Sequence, residues 1–180
     1  SYFFTVLLVL IIHFFLTYGS LLFLLTKVRL VYFYSKMKNT ILFAFSTASS
    51  AATIPVTLKT VEEELKVEKS VASFSVPLGA TINMDGTAIM QGVATIFIAN
   101  AYGINLEISD FISVIMVATL ASIGTAGVPG VGLIMLAMVL NQVGLPSEGI
   151  ALIIGIDRLL DMTRTAVNVT GDATISCVVA

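Results

Sequence analysis

The sequence has few charged residues and a single cysteine. Only 11% of its 180 residues are Asp, Glu, Lys or Arg, whereas 57% are hydrophobic, and the mean hydropathy is +1.02. This composition lies far from that of an ordinary soluble domain. One cysteine, Cys177, excludes both a disulfide framework and a thiolate metal site. A net charge of −2 leaves no basic excess for nucleic acid, so no nucleic-acid partner is expected.

The sequence also lacks a secretion signal and the residue groupings of an enzyme. Its first apolar run has neither a basic n-region nor a small-residue cleavage site, and we interpret it as a membrane span. The chain does not open on Met and stops inside an apolar run, so we expect a piece of a longer membrane protein. No Ser/His pair or histidine cluster is present, which argues against an intramembrane enzyme.

Apolar runs separated by charged connections predict an all-α membrane protein. Lys27, Arg29, Lys36 and Lys38 occur without an acidic neighbour, so the positive-inside rule places their loop in the cytoplasm. The turn YGINLEISD has no Lys or Arg and is expected outside. The predicted segments are a span at 1–26, a cytoplasmic loop and re-entrant hairpin at 27–58, a charged loop and broken span at 59–101, an external turn and second re-entrant hairpin at 102–145, and a charged span at 146–180.

Interruptions of the apolar runs recur in the same order in both halves. Two hairpins are expected to have non-helical tips, at Ser49–Pro55 and Ser122–Pro129, because such backbone is tolerated at membrane depth where it lines a protein cavity. Each hairpin precedes a span with a polar, unwound spot, NMDGT at 83–87 and NVTGD at 168–172. The hairpins open from opposite sides. The sequence therefore predicts inverted repeats, which in secondary transporters place the substrate near the midplane.

Polar residues share one face of the last span. Asp157, Asp161, Arg164, Asn168 and Asp172 fall within about 80° of a helix with ~3.6 residues per turn. A charged side chain that faces lipid costs at least ~2.5 kcal/mol, so this face must meet protein, ions or water. Such residues usually bind or move a ligand; buried ion pairs that only join helices are the alternative.

His13 is the single histidine and lies within the first span. No charged residue stands at helical spacing from it. Packing, or a polar contact with a neighbouring helix, is therefore favoured over a role as a proton relay.

Four strings carry a family resemblance. SSAATIP at 49–55, NMDGT at 83–87, ASIGTAGVPG at 121–130 and D-x3-D-x2-RT-x2-N-x3-D at 157–172 resemble the glutamate transporter family, also called the dicarboxylate/amino acid:cation symporter family, in both order and spacing. The resemblance covers essentially the whole chain. It implies span 6, hairpin 1, span 7, hairpin 2 and most of span 8 of an elevator-type transport domain. It also implies a multi-pass location in the plasma or inner membrane, with preceding spans that form a homotrimeric scaffold.

The resemblance further implies a substrate site. Arg164 would pair with the side-chain carboxylate of an acidic amino acid, which its planar guanidinium can engage through two hydrogen bonds. Asp161 would receive the substrate ammonium and Asn168 would hold the α-carboxylate, while Asp157 would orient Arg164. The other substrate-binding residues that the resemblance implies are Ser50, Thr87 and Thr165, with the backbone of Val128 and Gly132.

Sodium is the coupling ion that the resemblance implies, and no other cofactor is expected. One site matches Asp172 with the carbonyls of Gly79, Asn83 and Asn168. A second site, formed as hairpin 2 closes, uses the carbonyls of Thr81, Ser122, Ile123 and Thr125. A third uses Asp85 with the Asn83 side chain and ligands from further upstream.

Two positions depart from the family's pattern. Archaeal relatives carry an arginine where this chain has Ala48, and Arg158 on the last span raises the expectation that a guanidinium reaches the same cavity from another element. Gln91 stands where the potassium-countertransporting animal members have a glutamate. A neutral amide cannot carry a transported proton, which argues against coupling of that type.

The leading interpretation is a sodium-coupled symporter of aspartate or glutamate. A proton-coupled glutamate or C4-dicarboxylate symporter is the alternative, although a dicarboxylate has no ammonium for Asp161 to receive. An ion channel gated by re-entrant loops is disfavoured, because channels need a continuous pore lined by rings of like ligands.

Overall fold

The computed structural model describes residues 2–180, and these residues form helices and no strand. The prediction of an all-α chain is therefore confirmed for the described residues. Short π-helical segments at His13–Thr17 and Thr60–Glu64 and a 3-10 segment at Ser147–Leu152 supplement the α-helices. In chain order the α-helices are α1 (Tyr2–Ile12), α2 (Tyr18–Leu25), α3 (Leu30–Thr47), α4 (Ser50–Lys59), α5 (Lys69–Ile82), α6 (Asp85–Ala101), α7 (Ile108–Ser122), α8 (Val131–Gln142) and α9 (Ile154–Val179).

The first apolar run is one long helix. α1, the π-helical turn and α2 join into Tyr2–Leu25, which has 24 residues and a mean hydropathy of 2.3. At 1.5 Å per residue such a helix is about 36 Å long, enough to cross the ~30 Å apolar core of a bilayer. Among residues 2–180 it is the one helix that is both long and apolar enough to do so.

α3 and α4 form a helical hairpin with a very short tip. Only Ala48 and Ser49 lie between the two helices, so the prediction of a non-helical tip at Ser49–Pro55 is wrong for most of its length. Ser49 explains the early start of α4, because its side chain caps the helix by accepting a 3.1 Å hydrogen bond from the N–H of Ala52. Pro55 lies inside α4 without ending it. The predicted cytoplasmic loop is also shorter than expected, since α3 begins at Leu30.

The break predicted in the next span is present and narrow. α5 ends at Ile82 and α6 begins at Asp85, and the intervening Asn83 and Met84 have non-helical dihedral angles. A break in a buried segment exposes backbone carbonyls and N–H groups that need partners. Here the N–H of Asn83 donates to the carbonyl of Gly79, and the carbonyl of Met84 accepts from the N–H groups of Thr87 and Ala88.

The unwound spot predicted at 168–172 is absent, because α9 continues without interruption from Ile154 to Val179. The hydroxyls of Thr170 and Thr174 each donate a 2.8 Å hydrogen bond to the carbonyl one turn earlier. Both hydroxyls are therefore satisfied within the helix. Gly171 does not interrupt the helix either. It provides the space in which Asn83 and Tyr18 approach α9.

α7 and α8 form a second helical hairpin, and its tip is longer. Residues 123–130 connect the two helices, close to the predicted tip at Ser122–Pro129. Gly124 and Gly130 adopt φ angles of 81° and 82°, a region that costs other residues free energy. The sequence therefore places glycine where this tip turns.

α9 forms the centre of the molecule and packs against α1, α2, α3, α4, α5 and α6. An apolar cluster surrounds each half of it, one built mainly from α1, α6, α7 and α8 and the other from α3 and α5. The outside of the molecule is apolar as well, which suits a lipid environment better than water. Large exposed apolar side chains include Phe4, Phe15, Phe23, Leu24, Ile115 and Ile134.

Candidate functional site

Arg164 is buried at the centre of the molecule between two carboxylates of its own helix. Its side chain is 1% exposed. Nη1 donates a 2.8 Å hydrogen bond to Oδ1 of Asp157, and Nη2 donates one of 3.0 Å to Oδ1 of Asp161. The spacings of seven and three residues place these groups on one face of α9, as the sequence pattern predicts. Two buried carboxylates beside one guanidinium leave this part of the site with an excess of negative charge.

Asp161 also connects α9 to the tip of the second hairpin. Its Oδ2 accepts a 3.0 Å hydrogen bond from the N–H of Gly130, the residue that precedes α8. One carboxylate thus joins the guanidinium of Arg164 to the N-terminal end of α8, where the helix dipole favours negative charge. Anything that displaces Asp161 from Arg164 therefore acts directly on this hairpin.

Asn168 fastens the break between α5 and α6 to α9. Its Oδ1 accepts a 2.7 Å hydrogen bond from the N–H of Gly86, and its Nδ2 lies 3.3 Å from the sulfur of Met84. The site of Gly86 has little spare room, because an added Cβ would lie 3.0 Å from Oδ1 of Asn168. The glycine in NMDGT therefore allows α6 to approach α9 closely.

These groups surround a cavity of about 20 Å³. A cavity of this size holds about one water molecule, so a substrate can enter only if part of the wall moves. Arg164 adjoins it, since its Nη2 is 3.2 Å from the position of a Cβ on Gly132. The structure thus brings all the expected substrate-binding residues together. Those that line the cavity itself are Ser50, Thr87, Val128, Gly132, Asp161, Thr165 and Asn168.

Sequence reasoning missed some of the lining residues and misplaced one arginine. Ala48, Met84, Ala126 and Gly127 also face the cavity, although all but Ala48 stand inside the quoted strings. Arg158 does not line it and has an exposed side chain on another face of α9, so the expectation that its guanidinium reaches the cavity is wrong. One residue after Asp157, it is turned about 100° away from the polar face.

The tips of the two hairpins meet above the cavity. The carbonyl oxygen of Gly127 accepts a 2.7 Å hydrogen bond from the hydroxyl of Ser49 and one of 3.1 Å from the N–H of Ala51. A second link joins this tip to α5, where the N–H of Gly124 donates to the carbonyl of Thr81 at 2.9 Å. The second hairpin is therefore closed over the cavity.

The residues expected at the first sodium site are together on the other side of Asn168. Asp172 is 2% exposed, and its Oδ1 accepts a 2.8 Å hydrogen bond from Nδ2 of Asn83, which also donates to the carbonyl of Asn168 at 3.2 Å. A Cβ on Gly79 would lie 2.5 Å from Oδ1 of Asp172. A buried carboxylate beside the carbonyl of Asn168 and next to Gly79 suits a hard cation, so the residues present fit sodium.

The second and third expected sets also lie close to this position. Ser122, Ile123 and Thr125 belong to the tip that contacts Thr81 through Gly124. The 2.9 Å hydrogen bond from Gly124 to the carbonyl of Thr81 brings this part of the second hairpin beside Thr81.

Asp85, from the third expected set, contacts the first span. Its Oδ2 lies 3.1 Å from Nε2 of His13 and accepts a 3.2 Å hydrogen bond from the hydroxyl of Tyr18. His13 thus makes the polar contact with a neighbouring helix that the sequence favoured over a proton relay. Sequence spacing gave no signal for Tyr18, because its partner is 67 residues away.

Behind the cavity, three buried polar atoms have no hydrogen-bond partner among residues 2–180. They are the Tyr2 hydroxyl, Oε1 of Gln91 and Nε of Arg164. Gln91 makes one long contact of 3.4 Å from its Nε2 to the carbonyl of Gly132. The Nε–H of Arg164 is therefore a buried donor for which residues 2–180 provide no acceptor.

Comparison with known proteins agrees with this geometry. The model of the sodium:dicarboxylate symporter family matches residues 1–180. The chain is 44% identical to human excitatory amino acid transporter 2 over 172 residues, which are 96% of this chain and 30% of that protein. It is 46% identical to mouse excitatory amino acid transporter 3 over 169 residues, 94% of this chain and 32% of that protein.

A third relative, an excitatory amino acid transporter of Caenorhabditis elegans, is 45% identical over 159 residues, 83% of this chain and 32% of that protein. The chain belongs to the sodium:dicarboxylate symporter family. It spans about a third of the length of these relatives.

Proposed function

We propose that this chain is the substrate- and ion-binding part of a sodium-coupled secondary active symporter of acidic amino acids, aspartate or glutamate. The observation that carries the proposal is Arg164, buried between Asp157 and Asp161 under the meeting point of both hairpin tips. A buried cation under a movable tip is suited to hold an anionic substrate that must be released again. The family membership supports the same function.

Substrate binding would exchange the partners of two charged groups. Asp161 would leave Nη2 of Arg164 and Gly130, and the side-chain carboxylate of the substrate would take its place on the guanidinium. The freed Asp161 carboxylate would receive the substrate ammonium. Asp157 would keep Arg164 oriented throughout through the 2.8 Å bond to Nη1. Arg164, Asp161, the substrate ammonium and the side-chain carboxylate of the substrate would each keep a partner of opposite charge. To leave one of these buried charges unpaired would cost on the order of 3–5 kcal/mol.

The remaining substrate contacts would come from polar groups that already line the cavity. Asn168 would hold the α-carboxylate, assisted by the hydroxyls of Thr87 and Thr165 and by Ser50 at the N-terminal end of α4. The start of α4 and the start of α8 both meet at the cavity, and their dipoles favour an anion.

Sodium would bind at Asp172 with carbonyls of Gly79, Asn83 and Asn168, and at the carbonyls of Thr81, Ser122, Ile123 and Thr125. Asn168 belongs to both the cavity and the first ion set, so substrate and ion would stabilise the same local structure. Asp85 and Asn83 would contribute to a third site. Since the second set is complete only when the second hairpin closes, ion binding would favour closure.

The two helical pairs would be re-entrant hairpins of an inverted repeat, and the whole unit would move as an elevator across a plasma or inner membrane. Further spans of a longer protein would form a trimeric scaffold. The many exposed apolar side chains support a surface that contacts lipid or other apolar helices. These features follow from the family resemblance.

A proton-coupled glutamate or C4-dicarboxylate symporter is the alternative, because the family description names dicarboxylates. The position of Asp161 argues for an amino acid, since a dicarboxylate would bring a further negative charge to this carboxylate. The neutral Gln91 argues against a carried proton at that position.

Uptake by the full-length protein in liposomes tests the proposal. We expect radiolabelled aspartate or glutamate to accumulate under an inward sodium gradient, with little effect of a proton gradient alone. Unlabelled succinate and malate should compete poorly. Uptake that follows only the proton gradient, or that succinate blocks as well as aspartate does, would establish the alternative instead.

A further inference from the structure

The connection between the first span and the first hairpin forms a cup with an unbalanced positive charge. The cup has a volume of about 580 Å³ and lies at residues 27–35. Two cationic side chains line it, Lys27 and Arg29, and no carboxylate does. The other lining residues are Val28, Val31, Tyr32 and Ser35.

Neither cation of the cup is neutralised within residues 2–180. Lys27 and Arg29 are exposed and make no ion pair there. The nearby Lys36 differs, because its Nζ lies 2.6 Å from Oε2 of Glu64. The charge of the cup is therefore available to an outside anion, while that of its neighbour is not.

Exposed apolar side chains stand in and just before the cup, at the end of the first span. Phe23 is 75% exposed, Leu24 is 72% exposed, and Val31 inside the cup is 83% exposed. Cations directly beside exposed apolar groups at the end of a spanning helix are the arrangement of a membrane–water boundary. A ligand here meets positive charge at one end and hydrocarbon at the other.

We propose that this cup binds the phosphate headgroup of an anionic phospholipid of the cytoplasmic leaflet. The phosphate would lie between Lys27 and Arg29, where Arg29 can donate two parallel hydrogen bonds, and the acyl chains would run along Phe23 and Leu24. The proposal rests on the membrane location in the proposed function and on the cytoplasmic placement of this loop by the positive-inside rule, but not on the nature of the transported substrate. The Ser35 hydroxyl already donates to the carbonyl of Tyr32, which shapes the wall of the cup.

The test compares two double variants of the full-length protein in nanodiscs of phosphatidylcholine with a minor fraction of spin-labelled phosphatidylglycerol. Lys27→Gln with Arg29→Gln removes both cations of the cup. Lys66→Gln with Lys69→Gln removes the same charge from the same end of the molecule, at exposed residues that do not line the cup. We expect the first pair to lower the relative affinity for phosphatidylglycerol about fivefold or more, and the second to change it less than twofold.

Other outcomes would overturn the proposal. Equal losses in both variants would mean a diffuse attraction of basic residues to anionic lipid. No loss in either would mean that the cup holds no lipid or is covered by another part of the longer protein. Glycerol phosphate that displaces the labelled lipid at millimolar concentration would point to a site for free phosphates. The melting temperature and sodium-dependent aspartate binding are measured for both variants. If both stay unchanged, a loss of lipid affinity in the first variant comes neither from misfolding nor from failure of the proposed function.

Discussion

The hydroxyl of Ser49 donates a 2.7 Å hydrogen bond to the carbonyl oxygen of Gly127, although the two residues are 78 positions apart. The N–H of Ala51 donates to the same oxygen at 3.1 Å. A single carbonyl on the second hairpin thus accepts both donors from the tip of the first. The closed position of the second hairpin depends on how closely this carbonyl can approach.

Gly127→Ala should prevent this approach. The added Cβ would lie 2.9 Å from the carbonyl oxygen of Ala80 and 3.0 Å from the nitrogen of Ala51, and neither backbone atom can move without displacing its helix. We expect the affinity for aspartate in the presence of sodium to fall about tenfold or more. This corresponds to ~1.4 kcal/mol or more of steric strain in the closed state. Gly92→Ala is the matched control, since nothing lies within 4 Å of its Cβ position. Equal binding by both variants would mean that the tips do not need this contact.

Arg164→Cys should abolish binding of aspartate and glutamate, because the substrate's second carboxylate would be buried without a cation. The cavity would keep its other polar groups, so uptake of small neutral amino acids is the expected gain. Arg158→Cys removes an exposed arginine from the same helix and should leave both properties unchanged. Binding by isothermal titration and uptake of labelled serine provide the measurements. Undiminished aspartate binding by a folded Arg164→Cys protein would refute the assignment.

Asp172→Asn should weaken the binding of sodium more than it weakens the binding of the substrate. Asp172 lies eight residues beyond Arg164 on α9, about 12 Å along the helix axis. We expect the sodium concentration for half-maximal aspartate binding to rise several-fold, with a smaller change in affinity at saturating sodium. Glu148→Gln removes an exposed carboxylate elsewhere and is the control. An unchanged sodium midpoint in Asp172→Asn would place the coupling ion at another position.

The second hairpin should close only when sodium and aspartate are both present. Its tip carries the carbonyls expected at one sodium site and the backbone of Val128, which lines the cavity and is expected to contact the substrate. Each ligand would therefore shift the open–closed equilibrium by its preference for the closed form. A spin label on Ala126, whose side chain is exposed, should be mobile with aspartate alone and immobile with both ligands. Full immobilisation by aspartate without sodium, or movement of a label on the first hairpin instead, would contradict this gating.

The ion pair of Lys36 and Glu64 gives a pH prediction at the end of the molecule that is expected to face the cytoplasm. The hydrogen bond from Lys36, followed by its charge, lowers the pKa of Glu64 below its ordinary value of 4.5, and the same bond raises the pKa of Lys36 above 10.5. The contribution of Glu64 is complete above its unfolded pKa and is lost as the pH falls through the folded value. That of Lys36 is complete below its unfolded pKa and is lost as the pH rises through the folded value.

Glu64→Gln should therefore lower the melting temperature by a constant amount between about pH 6 and 9, and by less at acid pH. The amount should be small, since both side chains are exposed to solvent. Glu63→Gln, which removes a neighbouring exposed carboxylate without this ion pair, is the control. A loss that grows steadily on acidification would contradict the assignment.

The parts of the site that sequence could predict are local in the chain. Helical spacing alone places three residues on one face of α9: Asp157, Asp161 and Arg164. The break at Asn83 and Met84 and the glycine-rich tip at 123–130 follow from residues that disfavour a helix locally. These features depend on residues close together in the chain, so they can be predicted from the sequence.

Composition alone did not predict which polar segments stay helical, nor which residues meet across the chain. NVTGD resembles NMDGT in composition, but α9 stays helical there because its threonines bond within the helix and Gly171 gives space to Tyr18 and Asn83. The start of α4 at Ser50 depends on the cap from Ser49. The contact of His13 with Asp85 joins residues 72 apart, which no spacing rule predicts.

The unbroken helix α9 has a mechanical consequence for coupling. Arg164, Asn168 and Asp172 are fixed on this one rod, which is helical without interruption from Ile154 to Val179. In the proposed function, the substrate anchor and the ion anchor would therefore not shift relative to each other, and neither anchor would move while the other stayed behind. Only the elements that surround the rod can open or close. Slippage, in which one cargo crosses without the other, must then arise at the hairpin tips, and variants with uncoupled transport are to be sought at those tips.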